Sequence, residues 1–213
     1  MDLKDITNYE VKLKIAKKIL DNVKDGQVIG FGSGTTSYIA ASEICKKVNE
    51  EKIHIVAIPT SKEIEELCKE NNVEVGNLIE NDIDWAFDGA DEVDENKRLI
   101  KGKGAAMFKE KLNIVSSPIT YILVDNTKIV KNLGENNPVP VEVFPSAMKY
   151  VSNELTKIGA VETVFRGMTE NNNAILDTKF DVINNDLELK IKQIPGVIES
   201  GLFLNYKVEI VKE

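Results

Sequence analysis

The stretch VIGFGSGTTS, residues 28–37, joins a short apolar run to a loop of glycine and hydroxyl residues. The apolar run is typical of a buried strand, and the loop favours the start of a helix, which we expect to continue to about Val48. Glycine lets the backbone approach a ligand closely, and the N–H groups at a helix start attract anions. The spacing fits neither the dinucleotide-binding nor the P-loop pattern. These residues alone therefore favour a phosphate or carboxylate site only slightly over a tight turn between a strand and a helix.

Strands and helices alternate on both sides of this stretch as far as Lys128. Residues 9–24 have the apolar spacing of an amphipathic helix, and Ser61 is expected to cap another helix. Further strands are predicted in KIHIVAIPTS, VEVG, DIDWAF and TYILVD. Such alternation indicates an α/β fold with a Rossmann-like, mostly parallel sheet and helices on both faces.

The pattern changes after Lys128. PVPVEVF is predicted as a strand, 145–159 and 181–196 as helices, TENNN as the turn of a hairpin and VIESGLF as a last strand. This strand and helix order is that of a smaller, ferredoxin-like α+β domain. YKVEIVKE is predicted to return as a strand to the first domain. We therefore expect a Rossmann-like catalytic domain over residues 1–128 and 204–213, and a small α+β domain over 129–203.

Composition narrows the function classes. The net charge of −8 argues against a general nucleic-acid binder, because phosphate backbones need a basic face. No apolar run approaches the roughly 20 residues that span a bilayer, and the first ten residues lack the apolar core of a signal peptide. We expect a cytoplasmic protein.

The cysteines and the histidine favour no metal or nucleophilic site. Cys45 and Cys68 lie in helical segments without a Cys-x-x-Cys partner, so we interpret them as reduced, partly buried thiols. His54, in the strand predicted from KIHIVAIPTS, is interpreted as structural. A single histidine excludes a zinc site rich in histidine, and no G-x-S-x-G motif supports a Ser-His-Asp triad.

The stretch DGADEVD, residues 88–94, places four carboxylates directly after an apolar run. A solvated turn, a Mg²⁺ site or proton-transfer machinery would each explain it. The carboxyl ends of parallel strands meet at one crevice, where this stretch would join residues 30–37, 101–111 and 124–128. Glu110, expected about two turns into its helix, and Lys128 would face the same crevice. Hydroxyls, two Asp, several Lys and a Glu together favour an anionic polyol, with carboxylates for proton transfer.

The ordered set GFGSGTT, PTS, DGADEVD, KGKGAA, KEK, VDNTK, PVEV and GVIESGLF closely resembles ribose-5-phosphate isomerase, type A, over residues 30–203. The resemblance implies interconversion of ribose 5-phosphate and ribulose 5-phosphate through an enediolate, a step of the non-oxidative pentose phosphate pathway. It implies no metal and no organic cofactor. It also implies a small sugar phosphate as partner, no nucleic acid or membrane, and a homodimer or homotetramer.

The resemblance also implies roles for matching positions. Glu110 would be the general base that moves the proton between C2 and C1. Asp88 and Asp91 would hold the sugar hydroxyls and help to move protons between O1 and O2, and Lys101 would stabilise the enediolate oxygen. The implied substrate-binding residues are Ser33, Gly34, Thr35, Thr36, Asp88, Gly89, Ala90, Asp91, Lys101, Gly102, Lys103, Gly104 and Lys128, with Lys12 as a further candidate. Which loop holds the phosphate stays open, and Glu92 and Asp94 are interpreted as solvated or structural.

Two positions and one short segment depart from the usual family pattern. Lys103 stands where glycine is usual, so it either adds charge near the anion or points to solvent. TENNN replaces a more usual Asp and Gly, and Lys109 stands where Arg is common.

Two other functional classes are alternatives to the isomerase. A related sugar-phosphate isomerase or an acyl-CoA transferase could use Glu110 differently, as a nucleophile in the transferase, but no feature requires CoA. A sugar-phosphate sensor would need a fused DNA-binding domain, for which this chain has neither the room nor the charge.

Overall fold

The computed structural model describes residues 6–213, and the chain forms two compact units. The first unit comprises the chain up to Gly89, Lys109–Thr127 and Lys207–Glu213, and the second comprises Ala90–Phe108 and Lys128–Tyr206. The helices are α1 (Tyr9–Lys17), α2 (Thr35–Glu51), α3 (Lys62–Glu70), α4 (Met107–Ser116), α5 (Met148–Lys157) and α6 (Leu187–Lys192). The strands are β1 (Val28–Phe31), β2 (Val56–Pro59), β3 (Glu74–Val75), β4 (Trp85–Asp88), β5 (Glu92–Val93), β6 (Leu99–Ile100), β7 (Thr120–Leu123), β8 (Val139–Val143), β9 (Ala160–Met168), β10 (Ala174–Phe180), β11 (Val197–Ser200), β12 (Leu202–Phe203) and β13 (Val208–Val211). Within 6–213, every helix is too short or too polar to cross a membrane.

The first unit is built on a six-stranded sheet in the order β13-β7-β4-β1-β2-β3, in which every pair is parallel. Ile29 and Phe31 of β1 are fully buried, as expected for a central strand whose two faces are both covered. Ile39 and Ile44 of α2 belong to the same core. Each predicted strand and helix of this region is present, although the bounds of some helices differ from the prediction. Ser61 caps α3 as predicted, since its Oγ accepts a hydrogen bond from the Ile64 N–H at 3.4 Å.

The second unit contains the predicted ferredoxin-like order of elements. Its four-stranded sheet runs β11-β8-β10-β9 and is antiparallel throughout, with α5 between β8 and β9 and α6 between β10 and β11. Val141, Val151 and Ile191 form part of its core. Gly159, with φ of +105°, follows α5 and ends it in the left-handed conformation that glycine adopts readily.

The second unit also holds a three-stranded sheet, β12-β6-β5. Of these strands the sequence pattern predicts only β12, as part of a last strand. β6 pairs antiparallel with both β5 and β12, and Val93 forms an isolated bridge with Ile129. These pairings place 90–108 in the second compact unit, whereas the sequence analysis expected them in the first domain. The predicted domain boundaries themselves stay a prediction. β13 pairs with β7, as expected for the returning strand.

Several smaller expectations need correction. The predicted helix over 9–24 ends at Lys17 and is followed by a short 3₁₀ turn, and the helix predicted over 181–196 is limited to α6. Cys45 and Cys68 are fully rather than partly buried, as free thiols between packed helices. His54 precedes β2 instead of lying within it.

Candidate active site

The strands β1 and β4 mark the switch point of the first unit's sheet. From β1 the sheet continues through β2 to β3 on one side, and through β4 to β7 on the other. Ligands of such doubly wound sheets bind beyond the carboxyl ends of the strands at this point. The predicted Ser33 and Gly34 follow β1, and the predicted Asp88 is the last residue of β4, so three site residues belong to the two central strand ends.

Asp88 and the loop after β1 lie in close contact. The Gly32 N–H donates a 2.8 Å hydrogen bond to the Phe87 carbonyl, and a Cβ on Gly32 would lie 2.3 Å from the Asp88 carboxyl carbon. Only glycine fits there. Asp88 is buried, and its Oδ1 accepts the Gly89 N–H at 2.7 Å and lies 3.5 Å from the Ser37 hydroxyl. The carboxylate therefore has a fixed position at the end of β4.

Glu110 and Ser33, which are separated by 77 positions in the chain, are in direct contact. The Ser33 hydroxyl donates a 2.7 Å hydrogen bond to Glu110 Oε1, and Glu110 is only 4% exposed. Glu110 lies in the first turn of α4, whereas the sequence pattern predicts a position about two turns into the helix. Gly102, with φ of +104°, and Ala105, with φ of +63°, keep the preceding loop out of helical conformation, so the helix starts later than expected.

The start of α2 combines a helix N-terminus with a cation. Gly34, with φ of +84°, precedes the helix, and the predicted Thr35 and Thr36 are its first two residues. The ammonium group of Lys12, on α1, donates a 2.9 Å hydrogen bond to Thr35 Oγ1. Lys12 is buried, which keeps its charge close to the first turn of α2. The helix dipole and this ammonium both favour an anion.

Lys101 belongs to the second unit and is buried there at 2% exposure. Its N–H donates a 2.9 Å hydrogen bond to the Gly201 carbonyl, and its ammonium lies 5.8 Å from the centre of the Phe203 ring. A Cβ on Gly201 would lie 2.2 Å from the Lys101 carbonyl oxygen, so the two chain segments can approach this closely only with glycine at 201. The start of the KGKG loop, residues 101–104, is thus held by backbone contacts.

Asp91 contacts the same loop. Its Oδ2 accepts the Lys103 N–H at 3.0 Å, which joins two of the predicted substrate-binding residues. Arg166, which belongs to no motif in the sequence, donates to the Lys103 carbonyl at 2.6 Å and to the Gly102 carbonyl at 2.8 Å. Its only signal in the sequence is a basic residue in a hairpin strand, which is indistinguishable from an ordinary surface charge.

The other carboxylates of DGADEVD are structural. Glu92 is fully buried and accepts the Gly134, Asn136 and Asn137 N–H groups at 2.6–2.7 Å. Asp94, also buried, accepts the Arg98 Nε–H at 2.6 Å and so closes a tight turn. The solvated interpretation of these two residues is therefore wrong, and the structural one is confirmed.

The remaining predicted residues lie in loops and short turns. Gly89 and Ala90 are half-buried after β4, Gly104 is exposed, and Lys128 is half-buried at the end of a 3₁₀ turn, Asn126–Lys128. Across residues 6–213, no three side chains of the types His, Cys, Asp and Glu are arranged to hold a metal ion.

The sequence and the fold both match known proteins. Residues 56–212 match the family described as ribose 5-phosphate isomerase A (phosphoriboisomerase A). Ribose-5-phosphate isomerase A from Methanocaldococcus jannaschii is 39% identical over 93% of this chain and 92% of its own, and ribose-5-phosphate isomerase A 1 from Oceanobacillus iheyensis is 37% identical over 96% and 95%.

Solved structures agree. The ribose 5-phosphate isomerase A structure from Methanocaldococcus jannaschii superposes with a TM-score of 0.92 at 38% identity, over 96% of each chain. A D-ribose-5-phosphate isomerase in complex with phospho-erythronic acid superposes with a TM-score of 0.91 at 36% identity, over 98% of this chain and 96% of its own. The chain therefore belongs to the ribose 5-phosphate isomerase A family.

Proposed function

We propose that the chain interconverts ribose 5-phosphate and ribulose 5-phosphate, with Glu110 as the base that carries the proton between C2 and C1. The observation behind this choice is the contact between Ser33 and Glu110 beside the sheet's switch point. A buried carboxylate with one oxygen held by a hydroxyl has a restricted orientation, so it can accept a proton and return it on one face of the substrate.

The reaction needs three further kinds of group. Removal of the C2 proton from the aldose produces an enediolate, whose oxygen bears negative charge, and return of the proton to C1 yields the ketose. Lys101 is proposed to stabilise that oxygen, because a cation already held in place needs little reorganisation in the transition state. Asp88 and Asp91 are proposed to bind the sugar hydroxyls and to relay the proton between O1 and O2.

The phosphate is proposed to bind at the start of α2, with contacts from Ser33, Gly34, Thr35 and Thr36. N–H groups of the first helical turn lack acceptors within the helix and point out of its N-terminus. Lys12 adds a positive charge at the same end, through its hydrogen bond to Thr35. The KGKG loop is less suited to this role, because Lys103 and Gly104 are exposed. We assign the sugar end of the substrate to Lys101, Gly102, Lys103 and Gly104, and a further contact to Lys128.

The ligand of one relative supports this substrate class. The structure solved with phospho-erythronic acid shows that a relative 36% identical to this chain binds a phosphorylated sugar acid. Its carboxylate bears charge at the end of the carbon chain that lies away from the phosphate, as the enediolate does. We expect the same compound to inhibit this chain competitively.

Location and assembly remain proposals. A cytoplasmic homodimer or homotetramer, acting without nucleic acid or membrane, would suit a sugar-phosphate isomerase. β9 pairs only with β10 among the described strands, and its Val161, Val164 and Phe165 are exposed, which leaves apolar surface for a second copy.

The test is formation of ribulose 5-phosphate from ribose 5-phosphate by the purified protein, with and without EDTA. We expect turnover to survive EDTA; loss of activity with EDTA would refute the metal-free mechanism. Glu110→Gln should lower kcat by about 10²-fold or more, since general bases contribute 10²–10⁴-fold. Glu66→Gln, at an exposed position of α3, is the control and should keep wild-type turnover. Wild-type turnover by Glu110→Gln would refute the base assignment, and no turnover by the wild-type protein would refute the function.

A further inference from the structure

We propose that Arg166 is a positioning residue for the reaction, because its guanidinium fixes the KGKG loop that carries Lys101 and contacts Asp91. Arg166 lies on β9, is remote in sequence from every group assigned to the chemistry, and belongs to the second unit, as does the loop. The inference rests on the proposed roles of Lys101 and Asp91.

The guanidinium acts as a bridge between the hairpin and the loop. Its Nη1 and Nη2 groups donate to the carbonyls of Lys103 and Gly102 at 2.6 and 2.8 Å, so two consecutive peptide groups are held by one planar cation. Its Nε donates to Asp177 Oδ1 at 3.0 Å, and Asp177 Oδ2 lies 2.9 Å from the same atom. Asp177, on the neighbouring strand β10, therefore holds the guanidinium in the orientation in which its two outer nitrogens face the loop.

The loop is held from its other side by Asp91. The Lys103 N–H donates to Asp91 Oδ2 at 3.0 Å, while the carbonyl of the same residue accepts from Arg166. Gly102, between Lys101 and Lys103, has φ of +104°, a backbone conformation that residues other than glycine rarely adopt. Loss of the guanidinium would free the two carbonyls and would weaken the contact that orients Asp91.

The effect reaches Lys101 through the chain. Lys101 precedes Gly102 directly, and its own N–H donates to the Gly201 carbonyl at 2.9 Å. A shift of the 102–103 peptide therefore moves the residue that carries the proposed enediolate contact. This contact gains strength in the transition state, so its loss should lower kcat more than it raises KM.

Arg166 also borders a cavity of about 130 Å³ that is lined in addition by Asp91, Lys103, Asn137 and Asp177. The cavity gives a free guanidinium ion access to the position that the Arg166 head group leaves in an alanine variant. Rescue by this ion separates a positioning role from a general effect on hairpin stability.

The experiment compares Arg166→Ala, Arg166→Lys and Lys179→Ala in the full chain. Lys179→Ala is the matched control. Lys179 pairs with Glu162 across the same two strands, so its substitution removes a cation from the hairpin without touching the loop. Arg166→Ala should lower kcat about 10- to 100-fold with KM changed less than about three-fold, as expected for a displacement near 1 Å. Arg166→Lys should remain close to Arg166→Ala, since one ammonium cannot bind both carbonyls in the same geometry.

Two readouts complete the test. Guanidinium chloride at millimolar concentration should restore part of the kcat of Arg166→Ala and leave wild type unchanged. Amide hydrogen exchange of Lys103 should be faster in Arg166→Ala, and this measurement does not depend on the proposed function. Unchanged kcat and unchanged Lys103 exchange in a folded Arg166→Ala protein would overturn the inference, as would an equal loss in Lys179→Ala. Absence of turnover in wild type would instead refute the proposed function.

Discussion

Gly32→Ala is expected to disable the reaction by displacing Asp88. The new Cβ would lie 2.3 Å from Asp88 Cγ and Oδ1 and 2.6 Å from Asp88 Cα, whereas ordinary contacts begin at 3.4 Å. Relief of the clash needs a movement of about 1 Å. The side chain cannot simply rotate away, because the backbone of β4 is too close as well, and Asp88 is buried at the end of that strand.

The expected magnitude follows from this displacement. A shift of about 1 Å in a group that positions substrate costs on the order of 10²-fold in rate, so kcat should fall by about that factor. Overpacking of a buried site also costs roughly 1–3 kcal/mol in stability, or about 2–12 °C in Tm for a chain of this size. We expect a folded protein with a moderately lower Tm and little turnover.

The assay is steady-state conversion of ribose 5-phosphate, with the folded fraction checked by circular dichroism at the assay temperature. Gly76→Ala is the matched control. Gly76 directly follows the edge strand β3, and its Cβ would lie 2.5 Å from Val56 Cγ1 on the neighbouring strand β2. This variant should lower Tm similarly but keep kcat within about two-fold. A kcat near wild type in Gly32→Ala would refute the reasoning. An equal loss of kcat in Gly32→Ala and Gly76→Ala would show that instability alone causes the effect.

Two further predictions concern stability in the second unit. Glu92→Gln should lower the free energy of unfolding by about 2–4 kcal/mol, measured by urea titration, and speed amide exchange over 134–137, because an amide cannot replace a charged acceptor of three N–H groups; unchanged exchange there would contradict this. Burial raises the pKa of Tyr206, and a 2.6 Å hydrogen bond to Glu188 raises it further. The folded state therefore keeps the phenol proton above pH about 10, where the unfolded chain loses it. The stability advantage of wild type over Tyr206→Phe should therefore be complete below that pH and decrease above it by up to about 1.4 kcal/mol per pH unit; an advantage that grows above pH 10 would contradict the sign.

The parts of the fold that could be predicted are those with local signals. β1, β4 and β7 are apolar runs next to amphipathic helices, so composition and spacing alone indicate a parallel sheet. The two-residue strands β5 and β6 escaped prediction because so short a segment has no periodicity. β6 also pairs with β12, about a hundred positions later in the chain, and such a pairing leaves no trace in the local sequence.

The candidate site divides in a similar way. Ser33, Asp88 and Glu110 could be selected because their residue types suit the chemistry and their motifs are distinctive. The partners of Glu92 and Arg166 could not be predicted, because both side chains bind backbone N–H or carbonyl groups, which every residue carries. The sequence predicts that α4 begins before Met107, because alanine usually favours helices. In the structure Ala105 has φ of +63°, which is not helical, and the residue type gives no sign of this conformation.

The position of β13 has a consequence for synthesis of the protein on the ribosome. This strand completes the first unit's sheet at β7, yet it follows the whole second unit in the chain. Because a ribosome adds about 5–20 residues per second, residues 128–206 take roughly 4–16 s to emerge after β7 has been made. Throughout that interval the nascent sheet has an open edge at β7, available to chaperones or to mispairing with other chains. Any segment inserted into the second unit would lengthen this exposure, so the rate of translation through 128–206 is itself a determinant of the yield of folded enzyme.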